Sequence, residues 1–416
     1  MDRTIERFRS HYAGEVTSGM SLFLETYGET IIDRLTEVCR RPRSTIYLFG
    51  NGGSHAISKC LEYALQDHAL KRGLRIRVQT GVDIHKATLL PDSKHVGISF
   101  VEVLDSESVD ANDLVIVISG SGNSDNLCEV AEYAAANSIP ILALLGSGGG
   151  RLAGLIPKAS CFTVPLVDQQ ISEDIIQSLA CLLDAPLSQP GTTWKATIKA
   201  SVAELQRAIA AVPTSFIAGA AQAVVDSFLN RKFTWVLGLD HPALSVCAEH
   251  VAHNLYWDGI YEVNNPPSRI IFSSPTACDF SGVSNDRRRG VLEILTGVSD
   301  SEGQGVALLS SLTTKSPVLS LLEQLQLAGV PAFLLFGDGS IEVREGSVTT
   351  HKTGLKHPQL QALLSQIVGH MLGRVIRLKL IEQRGAYRDY DLSNAAKFLV
   401  DFDLAQRRLL DHDGRA

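Results

Sequence analysis

Two stretches combine residue types suited to holding an anion. Gly50–Ser54 (GNGGS) and Ser119–Ser124 (SGSGNS) each follow an apolar run, Thr45–Phe49 and Asp113–Ile118. Gly52 and Gly53 can take positive φ and let the backbone approach a ligand closely. Asn51, Ser54, Ser119, Ser121 and Ser124 carry polar side chains, and Gly120 leaves room for a ligand between two of them. A helix after each loop would turn its unpaired N–H groups toward the same place. Val-, Ile- and Leu-rich runs read as buried parallel strands, and ligands of open α/β sheets bind at strand carboxyl ends. The two loops therefore predict a phosphate cradle.

The elements that must position these loops alternate. Residues 1–42 carry two helical patterns, ended by Pro42. Strands are expected at 45–49, 75–80, 113–118, 140–145 and 161–165, with helices at 54–70, 125–137 and 173–183. Strand–helix alternation implies a parallel sheet covered on both faces. A Pro/Gly-containing linker, 185–192, follows, and then the order repeats. Helices at 193–211 and 214–229 precede strands at 233–239, 269–272, 305–310 and 331–336, with helices at 245–257 and 357–376. Pairing Ser54 with Ser245 gives an offset of 191, and pairing Ser124 with Ser316 gives 192. A near-constant offset indicates internal duplication. The expected organisation is α/β: one domain over 1–188, a divergent copy over 193–380, and a helical tail over 381–416.

Composition narrows the class. The 416 residues are 45% hydrophobic and 20% charged, enough for two cored domains. A net charge of −7 argues against a nucleic-acid surface. No apolar run reaches transmembrane length, and the charged, amphipathic start has no secretory core, so no membrane role and a cytoplasmic setting are expected. Seven cysteines without a C-x-x-C pair suggest free thiols in a reducing compartment.

GNGGSH at Gly50–His55, ISGSGNS at Ile118–Ser124 and GSGGGRLAGL at Gly146–Leu155 resemble the phosphoheptose isomerase branch of the SIS (sugar isomerase) domain family. The resemblance covers about 1–185 clearly and about 193–380 as a divergent second copy. It implies two tandem flavodoxin-like sheets that bind a sugar phosphate, with a carboxylate and an imidazole moving protons between C1 and C2. It also implies a homo-oligomer, here a dimer of a fused pseudo-dimer. Zinc is the one candidate cofactor, held in the family by a His, a Glu four residues on, and a Gln and a His from a late helix.

Each half departs from that pattern differently. In the first, Cys60 and Ala64 stand where the family's His and Glu would be, and Cys181 and Glu173 where its late His and Gln would be. The family's substrate-binding Asn-Asp pair is replaced near Ser93–Lys94. Glu62 and Glu173 remain as substitute carboxylates. Cys60 and Cys181 read as small core fillers or, in the minority reading, as a facing reactive or metal pair. The second half has lost the Asn-Gly-Gly loop but keeps His250 near the family's His, with Asn254 four residues on. Asn285-Asp286 precedes Ser311 by 26 residues, the family's spacing, and Ser311, Thr313 and Ser316 retain loop hydroxyls. His370 lies near the late His. Gln361 precedes it by nine residues, off its helical face, whereas Gln366 shares that face.

His250 and His370 are thus structural histidines or, with Asp286, Glu62 and Glu173, the acid–base set; His250, Gln361 and His370 are the candidate zinc ligands. Arg287–Arg289 read equally as an anion clamp or a solvated helix start, and Gly148–Gly150 as a flexible loop. The favoured function is aldose–ketose isomerisation of a heptulose- or octulose-type phosphate, with the cradle from one half and the imidazoles from the other. A non-catalytic sugar-phosphate sensor or adaptor is the alternative, and the isomerase half of an aminosugar synthase a third.

Overall fold

The computed structural model describes residues 2–74, 76–81, 100–166, 168–184, 194–230, 232, 234–255, 270–272, 305–314, 316–341 and 347–384. The 185–192 linker, Ser93–Lys94, Asn285-Asp286, Arg287–Arg289 and the 385–416 tail lie outside them.

The first half begins with α1 (Asp2–Phe23), a π-helical turn at Leu24–Gly28 and α2 (Glu29–Arg40). Then come β1 (Thr45–Phe49), α3 (Gly53–Lys71), β2 (Arg77–Thr80), α4 (Phe100–Ser106), β3 (Leu114–Ser119), α5 (Asp125–Ala136) and β4 (Ile141–Leu145). A short α6 (Leu152–Leu155), β5 (Cys161–Thr163) and α7 (Gln169–Asp184) complete it. The second half runs α8 (Trp194–Ala211), α9 (Thr214–Leu229), β6 (Thr234–Leu239), α10 (Pro242–Asn254), β7 (Ile270–Phe272) and β8 (Val306–Ser311). It ends with α11 (Ser316–Leu327), β9 (Ala332–Phe336), β10 (Val348–Lys352) and α12 (Pro358–Arg384).

Among the described residues each half forms a five-stranded sheet, ordered β2-β1-β3-β4-β5 and β7-β6-β8-β9-β10. Every pair is parallel. The fold is α/β, with two tandem flavodoxin-like sheets. β10 is an addition to the sequence expectations. Its VTTHK has no apolar run, because an edge strand of partial burial does not need one.

Alternation along the strands explains why both faces are apolar. Ile46 and Leu48 of β1, with Leu114 and Ile116 of β3, join the large core between the halves. Tyr47, Phe49, Val115 and Val117 face outward onto α4 and α5. In the second half Val236 and Leu308 face the central core, and Trp235, Leu237 and Leu309 the outer layer under α11. Successive side chains point to opposite sides, so a strand buried twice must be apolar throughout. Between the sheets lie α3, α7, α10 and α12, packed on one another across the two halves. Helix α1 reaches the second half at α8 and α9: Arg9 donates to the carbonyls of Ala210 (3.0 Å) and Val212, and Thr214 donates to Glu6.

Among the described residues no single helix is long and apolar enough to cross a membrane. The bent pair α8–α9 passes by length and composition, but Phe216, Ile217 and Val224 are buried within the core.

Candidate functional site

The loop after β1 meets the second half. Gly52 takes φ +51°, and a Cβ there would lie 3.3 Å from His253 Nε2. A Cβ on Gly53 would lie 2.7 Å from Glu173 Oε2 and 2.8 Å from His250 Nε2. Only a bare backbone allows α3 to start against these two side chains. Asn51 pairs through its amide with Asn126 on α5 (2.8 and 3.0 Å), fixing the loop to the next strand's helix.

Ser119–Ser124 is a built turn. Ser119 Oγ accepts from Gly122 N–H (2.9 Å), Ser121 Oγ from Asn123 N–H (3.3 Å), and Ser54 Oγ from Gly120 N–H (3.3 Å). Ser124 caps α5 through its backbone. The GSGGG stretch braces this turn: Gly146 N–H donates to Ser119 O (2.9 Å), Leu152 N–H to Gly122 O (3.0 Å) and Arg151 N–H to Asn123 Oδ1 (3.0 Å). Within that stretch Gly149 and Gly150 lie against Gly122 and Ser121 of the turn, while Gly148 is exposed, with nothing within 4 Å of a Cβ.

Three of the central helices supply a buried polar group. Glu173 (α7), His250 (α10) and His370 (α12) each place one potential ligand atom within 4.8 Å of the others. Glu173 Oε2 lies 3.6 Å from His250 Nε2, and Gln169 Nε2 donates to Glu173 Oε1 (3.2 Å). The His250 and His370 rings meet edge to face, centroids 5.2 Å apart. Asp174, the next residue on α7, takes His370 Nδ1 at 3.0 Å, the Tyr12 hydroxyl at 2.8 Å and the Gln366 amide at 2.8 Å. Burial, then the neighbouring Asp174 charge, raises the Tyr12 pKa well above its ordinary value, so its hydroxyl stays neutral and donates. His250, His370 and Asp174 have no exposed surface.

Gln169 connects this group to the cradle, since a Cβ on Gly120 would meet its side chain. Arg374 holds the same region from α12. It donates to both Asp168 oxygens (2.7 and 2.6 Å) and to Gln170 (2.7 Å), with Tyr12 beneath its guanidinium. Burial pushes the Asp168 carboxyl up, but Arg374 outweighs this and holds it below its ordinary value.

Other candidates are placed elsewhere. Glu62 accepts from Thr80 on β2 (2.9 Å) and is no part of the Glu173–His250–His370 group. Burial raises its pKa, partly offset by Thr80. Gln361 accepts from Thr353 (2.7 Å); the glutamine that reaches the polar group is Gln366. Ser311 and Thr313 bond Asp240 at the end of β6. Ser316 opens α11. Asn285 and Asp286 lie outside the described residues.

Cys60 is a buried thiol pushed up to about 12 by desolvation, and desolvation also raises Cys247 well above its ordinary value, so both are protonated packing residues at neutral pH. The sequence reading missed Tyr12, Asp174, Gln169 and Asp240. A visible signal existed for Asp174: an acidic pair, Glu173-Asp174, inside an apolar helix has no solvated face to occupy.

Comparison with known proteins agrees with this architecture. Residues 11–146 match the model of the SIS domain family. A phosphoheptose isomerase from Colwellia psychrerythraea is 28% identical over 149 residues, which are 34% of this chain and 75% of that protein. Among solved structures, tagatose-6-phosphate ketose/aldose isomerase from Escherichia coli matches with a TM-score of 0.56 at 14% identity, over 90% of this chain and 94% of that one. The C-terminal domain of glucosamine-fructose-6-phosphate aminotransferase from Francisella tularensis gives 0.55 at 13%, over 90% and 96%. At such identities the shared property is the fold, and it extends over both sheets.

Proposed function

From the premise that this chain carries an SIS domain, we propose that it is a sugar-phosphate isomerase, acting on a heptulose- or octulose-type phosphate and its aldose. The observation that carries the reading is the Glu173–His250–His370 group, assembled from both halves and pressed against Gly53. In this reading the phosphate is held by the Ser119–Ser124 turn and the N-terminus of α5. The sugar then runs past Gln169 toward Glu173. Isomerisation needs a base to remove a proton from C1 of the ketose and return it at C2, and an acid to serve the carbonyl oxygen. Glu173 and His250 face each other as carboxylate and imidazole. His370 is oriented through Nδ1 by Asp174, which Tyr12 and Gln366 hold in place, so its chemistry would run through Nε2.

The same donors fit zinc. Two imidazoles and one carboxylate are a set that zinc accepts, and both ring nitrogens of the buried His250 have no hydrogen-bond acceptor or donor among the described residues. Bound there, a zinc ion would polarise the substrate carbonyl. A melt with and without added zinc, in the wild type and in His250→Ala, tests the fit; a zinc-dependent rise in Tm confined to the wild type is expected.

The second reading is a non-catalytic sugar-phosphate sensor. It is favoured by the full burial of His250 and His370, since turnover requires the sugar to reach them. Incubation with sedoheptulose 7-phosphate and longer ketose phosphates in D2O separates the two. Aldose formation with deuterium at C2, seen by NMR, is the expected result. Tight binding with neither aldose nor deuterium incorporation would leave the sensor.

A further inference from the structure

The two sheets align residue by residue at their carboxyl ends. Strands β3 and β8 have six residues each, ending at Ser119 and Ser311. Ile46 pairs with Leu114, the first residue of β3, and Thr234 with Val306, the first of β8. Ile46 thus corresponds to Thr234, Gly50 to Gly238 and Gly52 to Asp240. The packing agrees at this glycine: a Cβ on Gly50 would strike Ser54 O, four residues on, and one on Gly238 would strike Leu244 O, six residues on, each in the helix that follows. Both Gly52 and Asp240 have positive φ, +51° and +59°. An aspartate therefore stands in a left-handed position where the first half uses glycine.

Its carboxylate fills the place where an anion would sit. Asp240 Oδ1 accepts from Leu312 N–H (2.9 Å). Oδ2 accepts from Thr313 N–H (2.8 Å) and Thr313 Oγ1 (2.7 Å) and lies 3.0 Å from Ser311 Oγ, whose single proton is shared with Thr313 O (2.6 Å). Leu312 and Thr313 are the counterparts of Gly120 and Ser121 in the first cradle. The support behind this loop is retained: Gly337 N–H donates to Ser311 O at 3.1 Å, as Gly146 N–H does to Ser119 O. The second half has kept the architecture of a cradle and closed it from within. Two backbone amides and two hydroxyls converging on one carboxylate are the donor set that a phosphate would use.

We infer that Asp240 is a built-in anion that occupies the second half's phosphate cradle, so that the chain holds one sugar phosphate, in its first half. The stoichiometry rests on the sugar-phosphate reading above; the closure by Asp240 does not. Asp240→Gly restores the residue found at Gly52 and frees the four donors.

Crystals of the wild type and of D240G soaked in inorganic phosphate provide the test, with phosphate titrations by calorimetry. D240G is expected to show an anion on the Leu312 and Thr313 amides and to bind an additional phosphate per chain. The wild type is expected to show none there. Phosphate at that loop in the wild type, or folded D240G without an added site, overturns the inference. Should D240G not fold, Asp240→Ser is read by the same two measurements, and the wild-type soak decides by itself. Sedoheptulose 7-phosphate is titrated in parallel. Failure of the wild type to bind it would remove the functional reading while leaving the phosphate result at Asp240 intact.

Discussion

Glu173 Oε2, on α7 of the first half, lies 3.6 Å from His250 Nε2, on α10 of the second. The pair is made across the two halves, and the Gly53 backbone closes the third side. The chemistry assigned to the site depends on that contact across the duplication.

Glu173→Gln keeps the shape and the Gln169 contact but removes the base. Turnover should fall by about 10²–10⁴-fold. His250→Ala should cost a similar factor, and the double variant little more than either, because the two act as one unit. Sugar-phosphate binding, held at the Ser119–Ser124 turn, should survive in all three. Single-turnover kinetics and calorimetry read the two quantities separately, and additive losses would detach Glu173 from His250.

Tyr12 touches both members of the Asp174–His370 pair: its hydroxyl donates to Asp174 Oδ2 (2.8 Å) and lies 3.2 Å from His370 Nδ1. Tyr12→Phe deletes the 2.8 Å hydrogen bond to Asp174 Oδ2 and leaves the carboxylate with Gln366 and His370. A stability loss of about 1–2 kcal/mol is expected for the unsatisfied acceptor. Turnover should fall as well, because the carboxylate that orients His370 loses a support and the ring loses its hydroxyl neighbour. A melt difference with unchanged kcat would leave Tyr12 a purely structural residue.

The two sheets were legible in the sequence because strands buried on both faces must be apolar throughout, as TIYLF and LVIVIS are. β10 was not, since VTTHK is mostly polar and only Val348 is buried. His250 and His370 could be singled out by their closeness to two positions of the resembled family's pattern, yet their partners could not. Tyr12 approaches from a helix more than 160 positions before Asp174, a separation no spacing rule spans. Gln361 and Gln366 differ by five residues, about 140° on a helix, and only the latter reaches the polar group. Asp240 read as a loop residue because its role depends on a positive φ that the sequence does not display.

The Arg374–Asp168 pair predicts an acid-sensitive link between α12 and the start of α7. The folded Asp168 is held below its ordinary value, so its contribution is fully present above the unfolded pKa of about 3.9 and is lost as pH falls through the lower folded value. Arg374→Met retains much of the stem over Tyr12 and removes the charge. It should destabilise by about 1 kcal/mol at pH 7, the pair being partly solvated. The Tm gap between wild type and variant should narrow below about pH 4. A gap independent of pH would assign the effect to lost packing alone.

Gly53→Ala isolates the close approach of the two halves. The added methyl would lie 2.7 Å from Glu173 Oε2 and 2.8 Å from His250 Nε2, so one of these side chains must move. Gly53 itself has no positive φ, so backbone strain is not at issue. Gly154→Ala is the matched control: it too lies in a helix, with nothing within 4 Å of the new Cβ. The control should leave activity unchanged and gain stability slightly, by the helix preference of alanine over glycine. Gly53→Ala should lower kcat by about tenfold or more, because a displacement near 1 Å at a reacting pair is costly. It should leave the phosphate affinity of the Ser119–Ser124 turn intact, since that turn is braced from Gly146 and Leu152 and not through Gly53. Parallel losses of affinity and kcat would mean that the methyl disturbs the whole loop. Unchanged kcat would place the reacting centre away from Glu173 and His250.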